Sequence, residues 1–441
     1  MLLLHISDIH FREPDCLDED TDQDHVIRTR VSNHLKSKVA EFGSVDAILV
    51  GGDIAFKAHP DEYAAAGKWL KDLADICGCS STNRVFVVPG NHDVDRGITR
   101  KNVGLQNAQH RIANANLADK EQTLKGQLRT DNVGRDLMAA HAAYNEFAAP
   151  MNCQIYPKKI FWHQDLPLGG GVMLRINGLT STLLSGKDGN NDRERDLYLS
   201  PMQTALDPVE DRVHLVLCHH PIEWLADGDQ VDDDLNSRAM FQLFGHKHRQ
   251  RIIPTPTYLR VLSGAVNPSR KEPGWEPGYN LLRIEVEGVA EARQLRIETH
   301  QFRYQRQPEM FVPVQTPAGE EVHHGVMAFP GRSLAQKADV PPGEFGIAAP
   351  HKALTAAEVE PAPVDDVEAS MGDELYRDLI HNFWQLEGHQ KRAVMFALNL
   401  ITNDDLKLPE PERYGMAFLR AGERKQLDEL AVLVARAGEE N

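Results

Sequence analysis

Five times along this 441-residue chain an apolar run stops and a side chain able to bind a metal follows at once. Leu2–Ile6 is followed by Ser7-Asp8-Ile9-His10, Ala47–Val50 by Gly51-Gly52-Asp53, and Val85–Val88 by Pro89-Gly90-Asn91-His92-Asp93. Later, His214–Cys218 runs into His219-His220-Pro221, and Met240–Phe244 into Gly245-His246-Lys247-His248. Between the first three runs lie two stretches with helical spacing, Val26–Phe42 and Asp61–Ile76. Strand and helix in alternation predict a mainly parallel sheet with helices packed on it. In such α/β sheets ligands bind beyond the carboxyl ends of the strands. The strings are therefore expected to converge on one edge.

The donors decide what could bind there. Asp8 and His10 are two apart, and residues i and i+2 of an extended segment point the same way, so both are expected to reach one ion. His246 and His248 repeat the spacing. Asp53 follows two glycines that let the chain turn sharply. Asn91 adds an amide oxygen and His219 an imidazole. This mixed nitrogen and oxygen set suits Mn, Fe, Zn or Co, with Mn favoured, and lacks the thiolates of a structural zinc site. Seven side chains are too many for one ion but fit two if Asp53 bridges. A pair of ions about 3.5–4 Å apart can generate hydroxide and clamp phosphoryl oxygens. His92 is not needed as a ligand. It is expected to protonate the leaving group, with Asp93 holding its ring. The reaction expected is in-line attack by a metal-bridging hydroxide on a phosphodiester.

The ordered strings resemble the five-block signature of the calcineurin-like metallophosphoesterases over about residues 1–300. The resemblance implies an α/β fold of two sheets flanked by helices, an αββα sandwich. It implies that Asp8, His10, Asp53 and His248 hold one metal and Asp53, Asn91, His219 and His246 the other. It also favours His219 over His220 as ligand, leaving His220 behind it. The opening Ser-Asp-Ile-His-Phe and the Gly-Asn-His-Asp string are similar to those of bacterial cyclic-nucleotide phosphodiesterases, which makes a cyclic nucleotide or another small nucleotide diester the expected substrate. SbcD-type DNA nucleases share the blocks and supply the alternative, with a multi-protein repair or defence system as its setting. A third reading is a catalytically silent scaffold with an adaptor domain.

The rest of the chain bounds these readings. A net charge of −17 repels polyanions at long range and weighs against nonspecific nucleic-acid binding. No apolar run is long enough to span a membrane, and the amino terminus has no basic segment or cleavage site. Five irregularly spaced cysteines do not suggest a disulfide framework. A cytoplasmic protein with no membrane contact is expected. The predicted organisation is a catalytic domain over 1–304, a linker rich in Pro, Gly, Ala and Glu over 305–366 with a short β element near Met310 to Val314, and a helical interaction module over 367–441. That module carries apolar stripes at Leu375, Leu379, Ile380, Phe383 and Leu386, at Val394, Phe396, Leu398 and Ile401, and at Leu427, Leu430, Val432 and Val434. It is the expected surface for a protein partner or for self-association. Within the catalytic domain, 97–150 reads as a helical insertion. The cations in or near it, Arg96, Arg100, Lys101, Arg111, Lys125 and Arg129, either coat a solvated face or grip substrate phosphate.

Overall fold

The computed structural model describes residues 1–79, 84–270, 276–288, 293–329, 379–380, 382–386, 388–402, 405 and 410–439. They fall into two compact units, Met1–Leu334 and Ala335–Asn441.

The first unit is an α/β sandwich of two mixed sheets with helices. It opens with β1 (Leu2–Ile6), α1 (His25–Phe42), β2 (Ala47–Val50), α2 (Pro60–Ile76) and β3 (Val85–Val87). The three strands are buried along their whole length, as parallel strands covered on both faces are. β1 and β3 both pair with β2 in parallel. The helices α3 (Arg96–Lys101), α4 (Val103–Asn114), α5 (Leu117–Arg129), α6 (Asp131–Met138) and α7 (Ala142–Ala148) follow. Next come β4 (Trp162–Gly169), β5 (Val172–Gly178), β6 (Arg212–Cys218), β7 (Phe241–Phe244), β8 (Arg251–Pro254) and β9 (Leu259–Leu262). These six strands form the second sheet, in the order β4-β5-β6-β7-β9-β8. β5, β6, β7 and β9 run parallel, and β4 and β8 are antiparallel edges.

The chain then returns to the first sheet through β10 (Gly278–Glu287), β11 (Gln294–Arg306), β12 (Glu309–Pro313) and β13 (His323–Ala328). β10 lies antiparallel beside β1, β11 beside β10, and both β12 and β13 beside β11. The first sheet is thus half antiparallel, where the sequence suggested a mainly parallel one. β12 falls on the short β element expected near Met310 to Val314, whereas β13 extends the sheet where the sequence suggested linker. Burial alternates along β13, as in a strand with one wet face, and that mixed composition hid it. From residue 330 to 366 the expected linker lies outside the described residues.

The second unit contains helices Gly388–Ala397, Glu410–Glu423 and Leu427–Glu439. Leu379, Phe383, Leu386, Met395, Ile401, Tyr414, Phe418, Leu430 and Val434 form its buried core. Arg420 makes two ion-pair contacts with Asp405 across it. Phe396 and Val432, placed on apolar stripes by the sequence, are 41% and 67% exposed instead. Leu375 lies outside the described residues. No helix among the described residues is long and apolar enough to cross a membrane.

Candidate metal centre

The carboxyl ends of β1, β2, β3, β6 and β7 meet, and the close approach depends on glycine. A Cβ on Gly245 would come within 2.1 Å of Ser7 Oγ and 2.9 Å of the Gly51 carbonyl oxygen. Gly52 has φ +95°, and a Cβ there would sit 2.7 Å from His219 Nδ1. The Gly245 amide donates to the His219 carbonyl, and the Asp8 amide to that of Gly52.

Asp8, His10, Asp53, Asn91, His219, His246 and His248 are brought together here. His10 Nε2 lies 3.2 Å from Asp53 Oδ2, and His219 Nε2 lies 3.4 Å from the same oxygen. Asn91 Oδ1 is 3.1 Å from His219 Nε2, His246 Nδ1 is 3.3 Å from that nitrogen, and His248 Nε2 is 3.2 Å from Asp8 Oδ1. Donor atoms of Asp8, His10 and His248 all lie within 4.8 Å of one another, as do those of Asp8, Asp53 and His219.

The backbone route to this cluster differs from the expected one. Asp8, His10, Asp53, His246 and His248 have φ of 55°, 54°, 52°, 67° and 52°. They are left-handed residues beyond the strand ends, not consecutive members of an extended segment. Each left-handed non-glycine costs roughly 1–2 kcal/mol, and such strain gathers at functional sites. Asp, Asn and His are the non-glycine residues that tolerate it best.

Hydrogen bonds fix the ring tautomers. His219 Nδ1 sits 2.7 Å from the Gly51 carbonyl and His10 Nδ1 3.2 Å from that of Asn267. Both ring N–H groups therefore donate outward, and both Nε2 lone pairs face the cluster. There they meet Asp53 Oδ2, itself an acceptor. Acceptors 3.2–3.4 Å apart repel unless a positive species lies between them. Without a metal that species is a proton: despite burial, Asp53 draws His219 up to about 9. Burial acts first on Asp53 as well, yet His219 and His92 hold it well below the usual carboxylate range. Burial, reinforced by His219, drives the neighbouring His246 down to about 3. The donor set, its tautomers and its buried carboxylates fit divalent cations.

His92 borders the cluster. Its backbone amide donates to Asp53 Oδ1 at 2.8 Å. Its ring stacks on Phe56 at 4.8 Å between centroids, and its Nδ1 donates to the Phe56 carbonyl at 2.8 Å. That carbonyl has the orienting role the sequence gave to Asp93. The Asp93 carboxylate instead accepts from the amides of Ile54, Ala55 and Gly90 and from the Tyr63 hydroxyl. Three loop amides buried beside it need an acceptor, and the carboxylate turns to them. Glu62, fully buried, does the same for the amides of Glu13, Phe56, Lys57 and His59.

His220 stands behind the cluster, with Nδ1 2.8 Å from Ser181 Oγ and Nε2 3.7 Å from Asp192. Burial, with the His246 and His219 imidazoles beside it, holds it well below the usual imidazole range. Lys247 turns away to pair with Glu223. Trp224 packs edge-on against His246, with 4.0 Å between centroids, and Tyr279 is a core residue. Phe56, Asn267, Ser181 and Asp192 were not singled out in the sequence. Only Asn267 carries a signal that could have found it, because it follows the apolar strand β9 as the other site residues follow theirs.

Residues 375–436 match the GTPase-associated adaptor domain, and residues 1–250 match the calcineurin-like phosphoesterases. Comparison with curated proteins gives no match. Among solved structures, Vps29 of Chaetomium thermophilum is 13% identical, covering 75% of this chain and 100% of its own, with a TM-score of 0.31. A Staphylococcus aureus protein assigned as a 5′-nucleotidase is 13% identical, with coverages of 71% and 54% and a TM-score of 0.33. Zn²⁺-complexed Vps29 of Entamoeba histolytica is 12% identical, with coverages of 74% and 99% and a TM-score of 0.27. Likenesses this distant carry nothing about activity. The match over 1–250, more than half of the 441 residues, establishes that the chain belongs to the calcineurin-like phosphoesterase family.

Proposed function

We propose that the protein is a divalent-metal-dependent phosphodiesterase acting on a cyclic nucleotide or another small nucleotide diester. One observation carries the reading: imidazole lone pairs with fixed tautomers face a buried carboxylate across 3.2–3.4 Å, an arrangement that calls for cations. Asp8, His10, Asp53 and His248 would hold one ion, and Asp53, Asn91, His219 and His246 the other. Two such ions would supply an activated water and offset the charge on the phosphoryl oxygens. His92 directs one nitrogen to the Phe56 carbonyl; with a second proton on the other nitrogen, it would give that proton to the leaving oxygen. Phe56 and Asp93 are positioning residues. The match over 375–436 supports a recruiting role for the second unit, with a protein partner or a second copy as its target. Five free thiols agree with a reducing, cytoplasmic setting.

The test is hydrolysis with added Mn²⁺ of bis-p-nitrophenyl phosphate, p-nitrophenyl phosphate, cyclic nucleotides, and single- and double-stranded DNA. Equal or faster turnover of the monoester overturns the diesterase reading. DNA cleavage without turnover of small diesters favours the nuclease. No turnover of any substrate favours the scaffold.

A further inference from the structure

Beside the proposed centre lies a cavity of about 360 Å³, whose wall includes His92, Phe56, Lys57, Arg96 and Arg100. Three cations thus line a space that the general acid also borders. Among the described residues, none of the three forms an ion pair with a carboxylate. Asp95, the one carboxylate in the wall, is engaged in capping α3 and accepts from the amides of Gly97 and Ile98.

The guanidinium groups are held in place. Arg96 donates to the Asn191 side chain. Arg100 Nε donates to the Arg96 carbonyl at 3.0 Å, which leaves its two terminal nitrogens for another acceptor. Its stem packs so closely on Gly189 that a Cβ there would lie 2.1 Å from Arg100 Cγ. Phe56 is taken up by the His92 ring and by Arg12, whose guanidinium carbon lies 3.6 Å from the ring centroid. It is therefore not an open platform for a base. What the cavity offers a ligand is positive charge in a protein of net charge −17.

We propose that this cavity is the leaving-group subsite and that it selects a leaving group bearing its own phosphate, as in a short linear nucleotide. The inference rests on the diesterase reading and narrows it, since a cyclic mononucleotide has no second phosphate to place there. In the reaction water oxygen forms the new bond to phosphorus and the bond to the leaving oxygen breaks. That oxygen takes the His92 proton, so the products are a phosphomonoester and an alcohol carrying its original phosphate. Arg96 and Arg100 bind the latter through charge-assisted hydrogen bonds, bidentate where the fork allows.

The test compares a linear thymidine dinucleotide with its 5′- and 3′-phosphorylated forms, with Mn²⁺, in the wild type and in Arg96→Gln/Arg100→Gln. The wild type is expected to prefer one phosphorylated form by about tenfold or more in kcat/KM, and the double variant to lose most of that preference. Arg96→Lys/Arg100→Lys, which keeps the charge, should retain part of it. Calorimetric titration of metal-free protein with thymidine monophosphate gives a readout independent of turnover, and the glutamine variant should bind at least about fivefold more weakly. Turnover with no preference for either phosphorylated form overturns the subsite and leaves the diesterase reading standing. Absence of turnover on all three dinucleotides and on bis-p-nitrophenyl phosphate overturns both. Equal monophosphate binding by wild type and glutamine variant also overturns the subsite.

Discussion

Replacing Asp93 with alanine should loosen the loops that carry the metal centre without touching a proposed ligand. The Asp93 carboxylate lies 3.2, 3.0 and 2.8 Å from the amides of Ile54, Ala55 and Gly90, and 2.9 Å from the Tyr63 hydroxyl. It thereby ties the residues that follow Asp53 to the residue that precedes Asn91, and it is fully buried. Each buried amide left without an acceptor costs about 1–3 kcal/mol, so the three predict a loss of at least about 3 kcal/mol. Tyr63→Phe removes one bond and calibrates the scale at about 1 kcal/mol. Urea unfolding of the full chain reads the loss. Hydrogen exchange should quicken at residues 54, 55 and 90, well ahead of the β6 amides. Mn²⁺ affinity should fall about 10–100-fold, as it does when partners behind a ligand are removed. An Asp93→Ala protein within about 1 kcal/mol of the parent, with unchanged exchange at those three amides, would refute the reasoning.

Other outcomes follow from the same geometry. Asp53→Asn should remove bound metal, measured by elemental analysis after dialysis, and with it all hydrolysis. His92→Asn should keep metal content while lowering turnover about 10²–10⁴-fold for poor leaving groups and far less for p-nitrophenolate; equal losses on both would exclude the general-acid role. Burial raises Asp227 to about 7 from 3.8, so the folded protein keeps a proton that the unfolded chain releases, and stability falls as pH rises through that interval. The difference amounts to roughly 4 kcal/mol. Asp227→Asn should flatten the urea midpoint between about pH 4 and 7, and an unchanged slope would show that the carboxyl is already ionised there.

The fold of residues 1–250 and the seven clustered side chains were legible in the sequence for one reason. A strand buried on both faces writes an unbroken apolar run, and the residue after it stands where ligands bind. Leu2–Ile6 before Asp8 and Ala47–Val50 before Asp53 are clear examples. The antiparallel half of the first sheet was less legible, because β13 alternates wetter and drier positions and reads as linker. The Phe56 carbonyl that holds His92 and the Gly51 carbonyl that holds His219 had no sequence signal at all. Every residue carries a carbonyl, and only the folded chain aims one. Asp93 was misassigned for a related reason: adjacency to His92 suggested a pair, whereas the orphan amides of Ile54, Ala55 and Gly90 claim its oxygens.

The left-handed conformation of Asp8, His10, Asp53, His246 and His248 bears on how such a centre can be gained or lost. Each of these positions answers two demands at once, a donor atom and a tolerated positive φ, and few residue types meet both. A donor cannot be moved along the chain by substitution alone, since the neighbouring backbone does not turn the same way. Exchange for alanine removes the donor and strains the turn; exchange for glycine removes the donor and relaxes it. His248→Gly should therefore fold more stably than His248→Ala while binding metal no better. A lineage that abandoned the metal could drift to glycine at these five places with little penalty, so glycine there would mark a centre given up rather than one still in use.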